Sequence, residues 1–256
     1  MKKGLSFLIV FAMIGTFPGT SVCAQELQVS ITDPSAAVSY KVLEENLILV
    51  SAVDDQDNPV RGLTADDFTI RSDDKNAKIV SAEPLETNKK IGLNVVLVID
   101  NSSSMVSRKA VEPLLSALDA FFKTVRPIDN IHMVFFGKSK SDSITVENQT
   151  LNVKIHHSKD IAKLRELAEW SFKKGKGLSS KTLLYEAMFA GLNLIRNMPE
   201  KENKFMIVFS DGEDINSFGD IKRESKQEIV EAYSKGIPNT EFTASTSWKR
   251  RTWTRS

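Results

Sequence analysis

Apolar and polar positions alternate over residues 25–90, and the alternation is broken by short polar clusters. The segment "NLILVSAV" is rich in Leu, Ile and Val, "DFTIRS" alternates, and the turn-forming stretch "DDQDNPV" lies between them. This pattern is typical of β-strands joined by turns. Thr64, followed three residues later by Asp67, predicts one capped helical turn before a strand. We therefore expect a β-rich N-terminal segment that ends in a polar linker.

From residue 91 the pattern changes to apolar runs that alternate with helical stripes. "LNVVLVID" and "KFMIVFSDG" are continuous apolar runs, as expected of strands covered on both faces. Apolar residues at helical spacing occupy 111–125, 160–172, 182–197 and about 220–235. Strands that alternate with helices predict an α/β fold, with a mainly parallel central sheet flanked by helices.

The first 24 residues predict a secretory signal peptide. Two lysines precede the apolar run "GLSFLIVFAMIG", "FPG" ends it, and Val22 and Ala24 occupy the small-residue positions before a cut at Gln25. An uncleaved membrane anchor is the alternative, but a span needs about 20 apolar residues. We therefore expect an exported protein, periplasmic, secreted or at the cell surface, with no transmembrane segment in the mature chain.

The cysteine content and the net charge narrow the class of protein further. Cys23 is the only cysteine, so a mature chain that begins at Gln25 forms no disulfide, which favours bacterial export over the eukaryotic secretory route. Without Lys2 and Lys3, 32 basic residues face 33 acidic ones, a net charge of −1. This balance argues against nucleic acid as the partner.

Both apolar runs end on an aspartate, Asp100 and Asp211, and the first continues as Asp-x-Ser-x-Ser through Ser102 and Ser104. Ligands of open parallel sheets bind beyond the carboxyl ends of the strands, where these residues would meet. Carboxylates and hydroxyls are the hard oxygen ligands that Mg²⁺ prefers. The alternative is that Asp100 and the serines only cap the following helix. The second strand that ends on aspartate favours the metal site.

Three segments resemble the von Willebrand factor type A domain and its metal-ion-dependent adhesion site. "VLVIDNSSSM" resembles the Asp-x-Ser-x-Ser motif, "SKTLLYEAMFAGLNLI" resembles the second motif at Thr182, and "FMIVFSDGEDI" resembles the third at Asp211. The motifs follow the family order over about 91–236. The stretch "AVDDQDNPVRGLTADDF" resembles the β segment that precedes such domains in bacterial secreted proteins. The resemblance implies a Rossmann-like domain preceded by a small β-rich segment.

The resemblance also implies a ligand set for Mg²⁺ or Mn²⁺. Ser102 and Ser104 would ligate the metal through their hydroxyls, Thr182 directly or through water, and Asp100 and Asp211 mostly through bound water. A metal held by neutral hydroxyls keeps much of its charge, so it can accept a carboxylate from a partner. The implied metal residues are Asp100, Ser102, Ser104, Thr182 and Asp211. Ser103 is predicted to be a bystander.

Other candidate sites are weaker. The three histidines are His132, His156 and His157, and adjacent positions on an extended strand alternate faces, so the last two do not readily share a metal. "DDQDN" and "SDGEDINSFGD" lack the spacing of a calcium loop, which leaves Asp214 and Asp220 as solvated or capping residues. A serine hydrolase would need a Gly-x-Ser-x-Gly elbow, which the chain lacks.

The last 20 residues depart from the pattern. After "GIP" the apolar continuity ends in "NTEFTASTSWKRRTWTRS", where the family continues with a further strand and helix. This predicts a frameshifted or truncated reading frame, with the C-terminal part of the fold missing. The expected organisation is a signal peptide (1–24), a β-rich segment with linker (25–90), a type A domain (91–236) and an aberrant or disordered tail (237–256).

The sequence thus predicts a non-enzymatic adhesion module. It would bind a protein ligand through a divalent metal, with an acidic side chain of the ligand completing the metal's coordination. Three alternatives stay open: a scaffold that needs no metal, a non-functional gene fragment, and a metal-dependent hydrolase that uses Asp100 and Asp211. The last lacks a general base and a second metal.

Overall fold

The chain divides into two compact units, Met1–Ile91 and Gly92–Ser256, each described by itself below. The structure is a computed structural model, and the residues that it describes are 8–13, 27–44, 46–56, 58–72, 75–137, 142–199, 203–211, 214, 216–219, 222–235, 240–246 and 249–252.

The first unit is built of antiparallel strands. Its strands are β1 (Leu8–Met13), β2 (Leu27–Ile31), β3 (Ala37–Glu44), β4 (Leu47–Val53), β5 (Phe68–Ser72), β6 (Lys75–Asn76) and β7 (Lys78–Pro84). One sheet has the order β3-β4-β1-β7 and the other the order β2-β5-β6. Single 3-10 turns occupy Ala65–Asp67 and Leu85–Thr87.

Two strands supply the core cluster of this unit, β4 from a run of consecutive buried residues and β5 from alternating ones. Ile48 and Val50 of β4 are 0% and 1% exposed, and Phe68 and Ile70 of β5 are 6% and 1% exposed. These four side chains form one cluster, and its two strands, β4 and β5, belong to different sheets. The predicted turn before β5 is present, because the Thr64 amide and hydroxyl both donate to Asp67, at 2.7 and 2.9 Å.

The second unit contains eight strands and five helices among its described residues. The strands are β8 (Leu93–Ile99), β9 (Asn130–Phe136), β10 (Ile144–Val146), β11 (Gln149–Leu151), β12 (Val153–Ser158), β13 (Asn203–Ser210), β14 (Thr240–Thr246) and β15 (Lys249–Thr252). The helices are α1 (Ser103–Ser107), α2 (Val111–Phe122), α3 (Ile161–Ser171), α4 (Leu184–Arg196) and α5 (Arg223–Lys235).

Six of these strands form one sheet, in the order β12-β9-β8-β13-β14-β15. β8 pairs in parallel with β9 and β13, and β13 pairs in parallel with β14. The outer strands β12 and β15 run antiparallel to their neighbours. β10 and β11 form a separate antiparallel pair. The parallel register brings the carboxyl ends of β8 and β13 to the same edge of the sheet.

Helix α4 packs directly on β8, β9 and β13. Ala187 and Ala190 of α4 are fully buried, and so are Val96 and Val98 of β8. Gly191 permits this close approach, since an added Cβ would lie 3.0 Å from the sulfur of Met206. Each fully buried aliphatic side chain of β8 stabilises the fold by about 1.5–3 kcal/mol. This packing fixes the two strands that carry the candidate site.

The fold class predicted from the sequence is wrong for this chain. The prediction was an α/β, Rossmann-like type A domain on a mainly parallel sheet flanked by helices. The structure is instead β-rich, with its described strands distributed among four sheets, and antiparallel pairings outnumber parallel ones. The continuous apolar runs do form parallel strands. The short polar strands around them pair antiparallel, and the apolar periodicity of the sequence does not predict such strands.

Parts of the predicted leader and tail lie within described strands. β1 comes from the apolar run of the predicted signal peptide and pairs antiparallel with both β4 and β7. β14 and β15 come from the segment predicted to be aberrant or disordered. Val22, Cys23 and Ala24 lie outside the described residues. Within the part of the chain that the structure describes, no helix combines the length and apolar character needed to span a membrane.

Candidate functional site

The site begins where β8 ends. Leu97, Val98 and Ile99 are fully buried, and Asp100, directly after them, is also 0% exposed. The Asp100 amide donates to the Phe209 carbonyl of β13 at 2.9 Å. The apolar run therefore carries this carboxylate to the shared edge of β8 and β13 and holds it away from water.

Both oxygens of the Asp100 carboxylate accept hydrogen bonds. Oδ1 accepts from the Ser102 amide at 2.9 Å and from the Ser102 hydroxyl at 2.5 Å. Oδ2 accepts from the Ser210 hydroxyl at 2.8 Å. Burial raises the pKa of Asp100 above its ordinary value, these hydrogen bonds oppose the rise, and the charge of Asp211 adds to it. Among the described residues, the donors to this carboxylate are therefore all neutral.

A chain of oxygen atoms continues from Asp100 to the start of α1. The Ser102 and Ser104 hydroxyl oxygens lie 2.8 Å apart. Ser102 is 1% exposed and Ser104 is partly buried, whereas Ser103 between them is exposed. The two-residue alternation of the motif therefore separates the serines that face the carboxylate from the one that does not.

Asn101 fastens this loop to the neighbouring ones. Its Oδ1 accepts from the Phe136 amide at 2.8 Å, and its Nδ2 donates to the carbonyls of Phe136 and Gly177 at 3.3 and 2.8 Å. Ser179 adds two backbone bonds, donating to the Asn101 carbonyl at 2.9 Å and accepting from the Ser103 amide at 3.1 Å. The end of β9 and the segment before α4 are thus tied to the Asp-x-Ser-x-Ser loop.

Thr182 is buried and lies in that tied segment, three residues beyond Ser179. Its amide donates to Oδ1 of Asn216 at 3.1 Å, and its carbonyl accepts from the Asn216 amide at 3.0 Å. Asn216 belongs to the loop that follows β13. Thr182 therefore connects the two loops that carry the other four candidate residues.

Asp211, the residue after β13, forms an ion pair with Arg108. The guanidinium Nη1 lies 3.1 Å from Oδ2 of Asp211, whose side chain is 3% exposed. Arg108 follows α1, and its amide donates to the Ser104 carbonyl at 2.9 Å. The charge of Asp211 also acts on Asp100, so the two carboxylates share one electrostatic environment. The structure thus brings Asp100, Ser102, Ser104 and Asp211 together and adds Ser210 and Arg108, which the motif does not contain.

Asp214 is buried rather than solvated, and it caps α4, which is one of the two roles inferred for it from the sequence. Its side chain forms a buried ion pair with Lys226 of α5 at 3.3 Å, with 1% and 5% exposure. Its Oδ1 accepts from the Tyr185 amide at the start of α4 at 3.2 Å and from the Ser217 hydroxyl. This network fixes the loop after β13 against α4 and α5. Asp220 lies outside the described residues.

The histidines lie on β9 and β12, away from the hydrogen bonds of the oxygen cluster. The rings of His132 and His157 stack across the two strands with centroids 4.4 Å apart, and His156 meets Phe135 edge-on. Burial and the charge of His157 lower the pKa of His132 to about 4. His132 is therefore neutral at physiological pH.

The described residues contain no group of three or more His, Cys, Asp and Glu side chains that could hold a metal ion. The oxygen cluster has two carboxylates and draws its other oxygens from hydroxyl groups.

No family model matches the chain, and no curated protein matches it. Solved structures that it resembles include the pilus adhesin SpaC from Lactobacillus rhamnosus GG, at TM-score 0.42 and 13% identity over 69% of this chain and 26% of that one. Proximal thread matrix protein 1 from the mussel byssus gives TM-score 0.37 and 10% identity over 60% and 37%. The pilus tip protein Mfa5 from Porphyromonas gingivalis gives 0.33 and 13% over 80% and 30%.

The chain therefore spans only about a quarter to just over a third of the length of these structures. TM-scores below 0.5 do not establish a shared fold. The predicted membership of the von Willebrand factor type A family, with its metal-ion-dependent adhesion site, is contradicted, because no family model matches and the described residues hold no metal-binding group of three or more His, Cys, Asp or Glu side chains.

Proposed function

We propose that this chain is an extracellular, adhesion-type binding protein, and that its oxygen cluster binds Mg²⁺ or Mn²⁺ and, through the metal, an acidic group of a protein partner. The observation that supports this is the continuous set of oxygens from buried Asp100 through Ser102 to Ser104, with contacts of 2.5 and 2.8 Å. The predicted export signal places the protein outside the cytoplasm.

The donor set fits a hard divalent cation. Carboxylate and hydroxyl oxygens are preferred by Mg²⁺, which also keeps several waters. Burial of Asp100 disfavours its ionised form, whereas an adjacent cation favours that form. A bound metal would therefore offset the electrostatic cost of the buried carboxylate. Neutral hydroxyls leave the metal enough charge to attract a carboxylate.

The arrangement favours binding over catalysis. The hydrogen bonds of Asp100, Ser102 and Ser104 all run among hydroxyl, carboxylate and backbone groups. No histidine is among their partners in the described part of the chain. A proton acceptor positioned to activate water or a serine is needed for hydrolysis. The proposal is accordingly a binding protein with no chemical turnover.

A second candidate is a scaffold that needs no metal. Asp100 accepts three hydrogen bonds, and the buried Asp211 carboxylate is paired with Arg108. A buried charge that is hydrogen-bonded and paired can be retained for structure alone. The two candidates differ in whether the cluster responds to divalent cations.

Titration of the full chain with Mn²⁺, followed by electron paramagnetic resonance, tests the proposal. We expect wild type to bind one ion and Ser104→Ala to bind it about tenfold more weakly or worse. Ser103→Ala is the matched control, because Ser103 is exposed and adjacent, and it should bind like wild type. No binding by wild type, or equal losses in both variants, would support the scaffold instead.

The acidic partner is tested with acetate as the carboxylate probe. Acetate should displace water from bound Mn²⁺ and lower the water-proton relaxation that the metal produces. Acetamide, which has a similar shape and no charge, should leave relaxation unchanged. Equal effects of the two probes would refute recognition of an acidic group.

A further inference from the structure

The ion pair between Arg108 and Asp211 places a cation of the protein itself beside the oxygen cluster. Nη1 of Arg108 lies 3.1 Å from Oδ2 of Asp211. Asp211 acts electrostatically on Asp100, which carries the hydroxyl chain of the cluster. The positive charge that balances Asp211 in this structure is therefore a guanidinium.

The chain holds Arg108 near the cluster by its backbone. Its amide donates to the carbonyl of Ser104 at 2.9 Å. The amide of Ala110 then donates to the carbonyl of Met105 at 2.9 Å, and Lys109 adopts the left-handed φ of 57°. This is the hydrogen-bond pattern of a helix that stops abruptly. Arg108 is thus anchored at its main chain, while its side chain is 46% exposed and pairs with Asp211.

The two partners differ in their access to water. The Asp211 side chain is 3% exposed, whereas that of Arg108 is 46% exposed. A guanidinium at the surface loses little when it moves into solvent, but a buried carboxylate that loses its cation has a large desolvation cost. Opening of the ion pair is therefore more costly for Asp211 than for Arg108, and a second cation would offset that cost.

We propose that Arg108 is a tethered competitor for the divalent cation, paired with Asp211 until the metal binds and displaced into solvent when it does. This inference rests on the proposed metal site and concerns how its affinity is set. Because the metal must displace the ion pair between Arg108 and Asp211, a higher concentration of divalent cation is needed to occupy the site. Monovalent ions, with half the charge, compete less well for a carboxylate already paired with arginine.

The test compares Mn²⁺ affinity of the full chain in wild type, Arg108→Gln and Arg165→Gln. Arg165 is a matched control, because it forms an ion pair with Asp119 at 42% exposure in the same unit. Arg108→Gln should bind Mn²⁺ about tenfold more tightly, since the guanidinium no longer competes for Asp211. Arg165→Gln should bind like wild type. Circular dichroism confirms that each variant is folded.

The outcomes separate this inference from the proposed function. Wild-type binding with no gain in Arg108→Gln, or with an equal gain in Arg165→Gln, overturns the competitor and leaves the metal site standing. Binding by wild type with a gain in Arg108→Gln and no gain in Arg165→Gln supports the competitor. If neither wild type nor Arg108→Gln binds Mn²⁺, both the metal site and the competitor are refuted.

Discussion

Asp100 is a carboxylate with no exposure to water, and burying it is unfavourable for folding. Its three hydrogen bonds come from neutral donors, which offset part of the desolvation but supply no opposite charge. Its neighbour Asp211 adds repulsion, and burial remains the largest influence on its pKa. The residue is therefore held at a cost to folding, as functional residues often are.

The first prediction is that Asp100→Asn changes how stability depends on pH. Because the pKa of Asp100 is raised in the folded state, its contribution to stability is complete below its ordinary value of 3.8 and is lost as pH rises through the folded pKa. Asparagine does not ionise, and the Ser210 hydroxyl can turn to accept from its amide. The stability of the variant relative to wild type should therefore increase from pH 3 to pH 7 in metal-free buffer.

Urea unfolding followed by tryptophan fluorescence measures this difference. Glu112→Gln serves as a control, since it removes an exposed carboxyl group of α2 without touching the cluster. A constant difference between Asp100→Asn and wild type across this range would contradict the account.

The sequence predicted some of the site residues for clear physical reasons and could not predict others. The two-residue spacing of the motif separated Ser102 and Ser104 from Ser103, although Ser104 lies in the first turn of α1. Arg108 and Ser210 were missed, because the contacts of each depend on tertiary structure. A serine just before Asp211 was a visible signal for Ser210, whereas nothing in the pattern singled out Arg108.

At the scale of elements, helices with a strong apolar stripe were the easiest to predict. α3 (Ile161–Ser171) and α4 (Leu184–Arg196) lie within the segments that periodicity indicated. β14 was missed, because "TEFTAST" has no apolar continuity and gains its strand conformation by pairing with β13. β1 lies in the segment predicted to be a signal peptide, and it pairs with β4 and β7. Pairing between strands is a long-range property, so a single sequence shows it poorly.

The second prediction concerns the buried ion pair that joins the loop after β13 to α5. Replacing Lys226 with methionine leaves Asp214 buried without its cation, and the cost should be about 3–5 kcal/mol in the free energy of unfolding. The double variant Asp214→Asn, Lys226→Met should recover part of this loss, because the uncompensated charge is then absent. Urea unfolding measures both. A loss below about 1 kcal/mol for Lys226→Met would show that the pair contributes little.

At the scale of the whole molecule, the two units have separate apolar cores, and the oxygen cluster belongs to the second. All three tryptophans of the chain also lie in residues 92–256, so their fluorescence reports on that unit. A ligand that binds only the folded state shifts the unfolding equilibrium of the unit that holds it. The location of the cluster therefore predicts where stabilisation by metal will be detected.

The third prediction is that Mg²⁺ stabilises the unit reported by tryptophan fluorescence. At a concentration about 100 times its dissociation constant, it should raise the free energy of unfolding by about 2.7 kcal/mol. Ser103→Ala should respond like wild type and Ser104→Ala much less. A response that is the same in both variants would place the bound metal elsewhere.

The backbone ties at Gly177 and Ser179 come after an exposed stretch, residues 173–176, that follows α3. A Cβ added to Gly177 would lie 2.5 Å from the Cα of Ser171, so that residue cannot change. Gly175 has open space around it, but its φ of 76° also favours glycine, so an insertion should leave it in place. Lengthening a flexible loop costs only about 0.6 kcal/mol for each doubling of its length. Residues 173–176 are therefore a suitable place to insert an epitope or a fluorescent label, close to the oxygen cluster but outside the bonds that shape it.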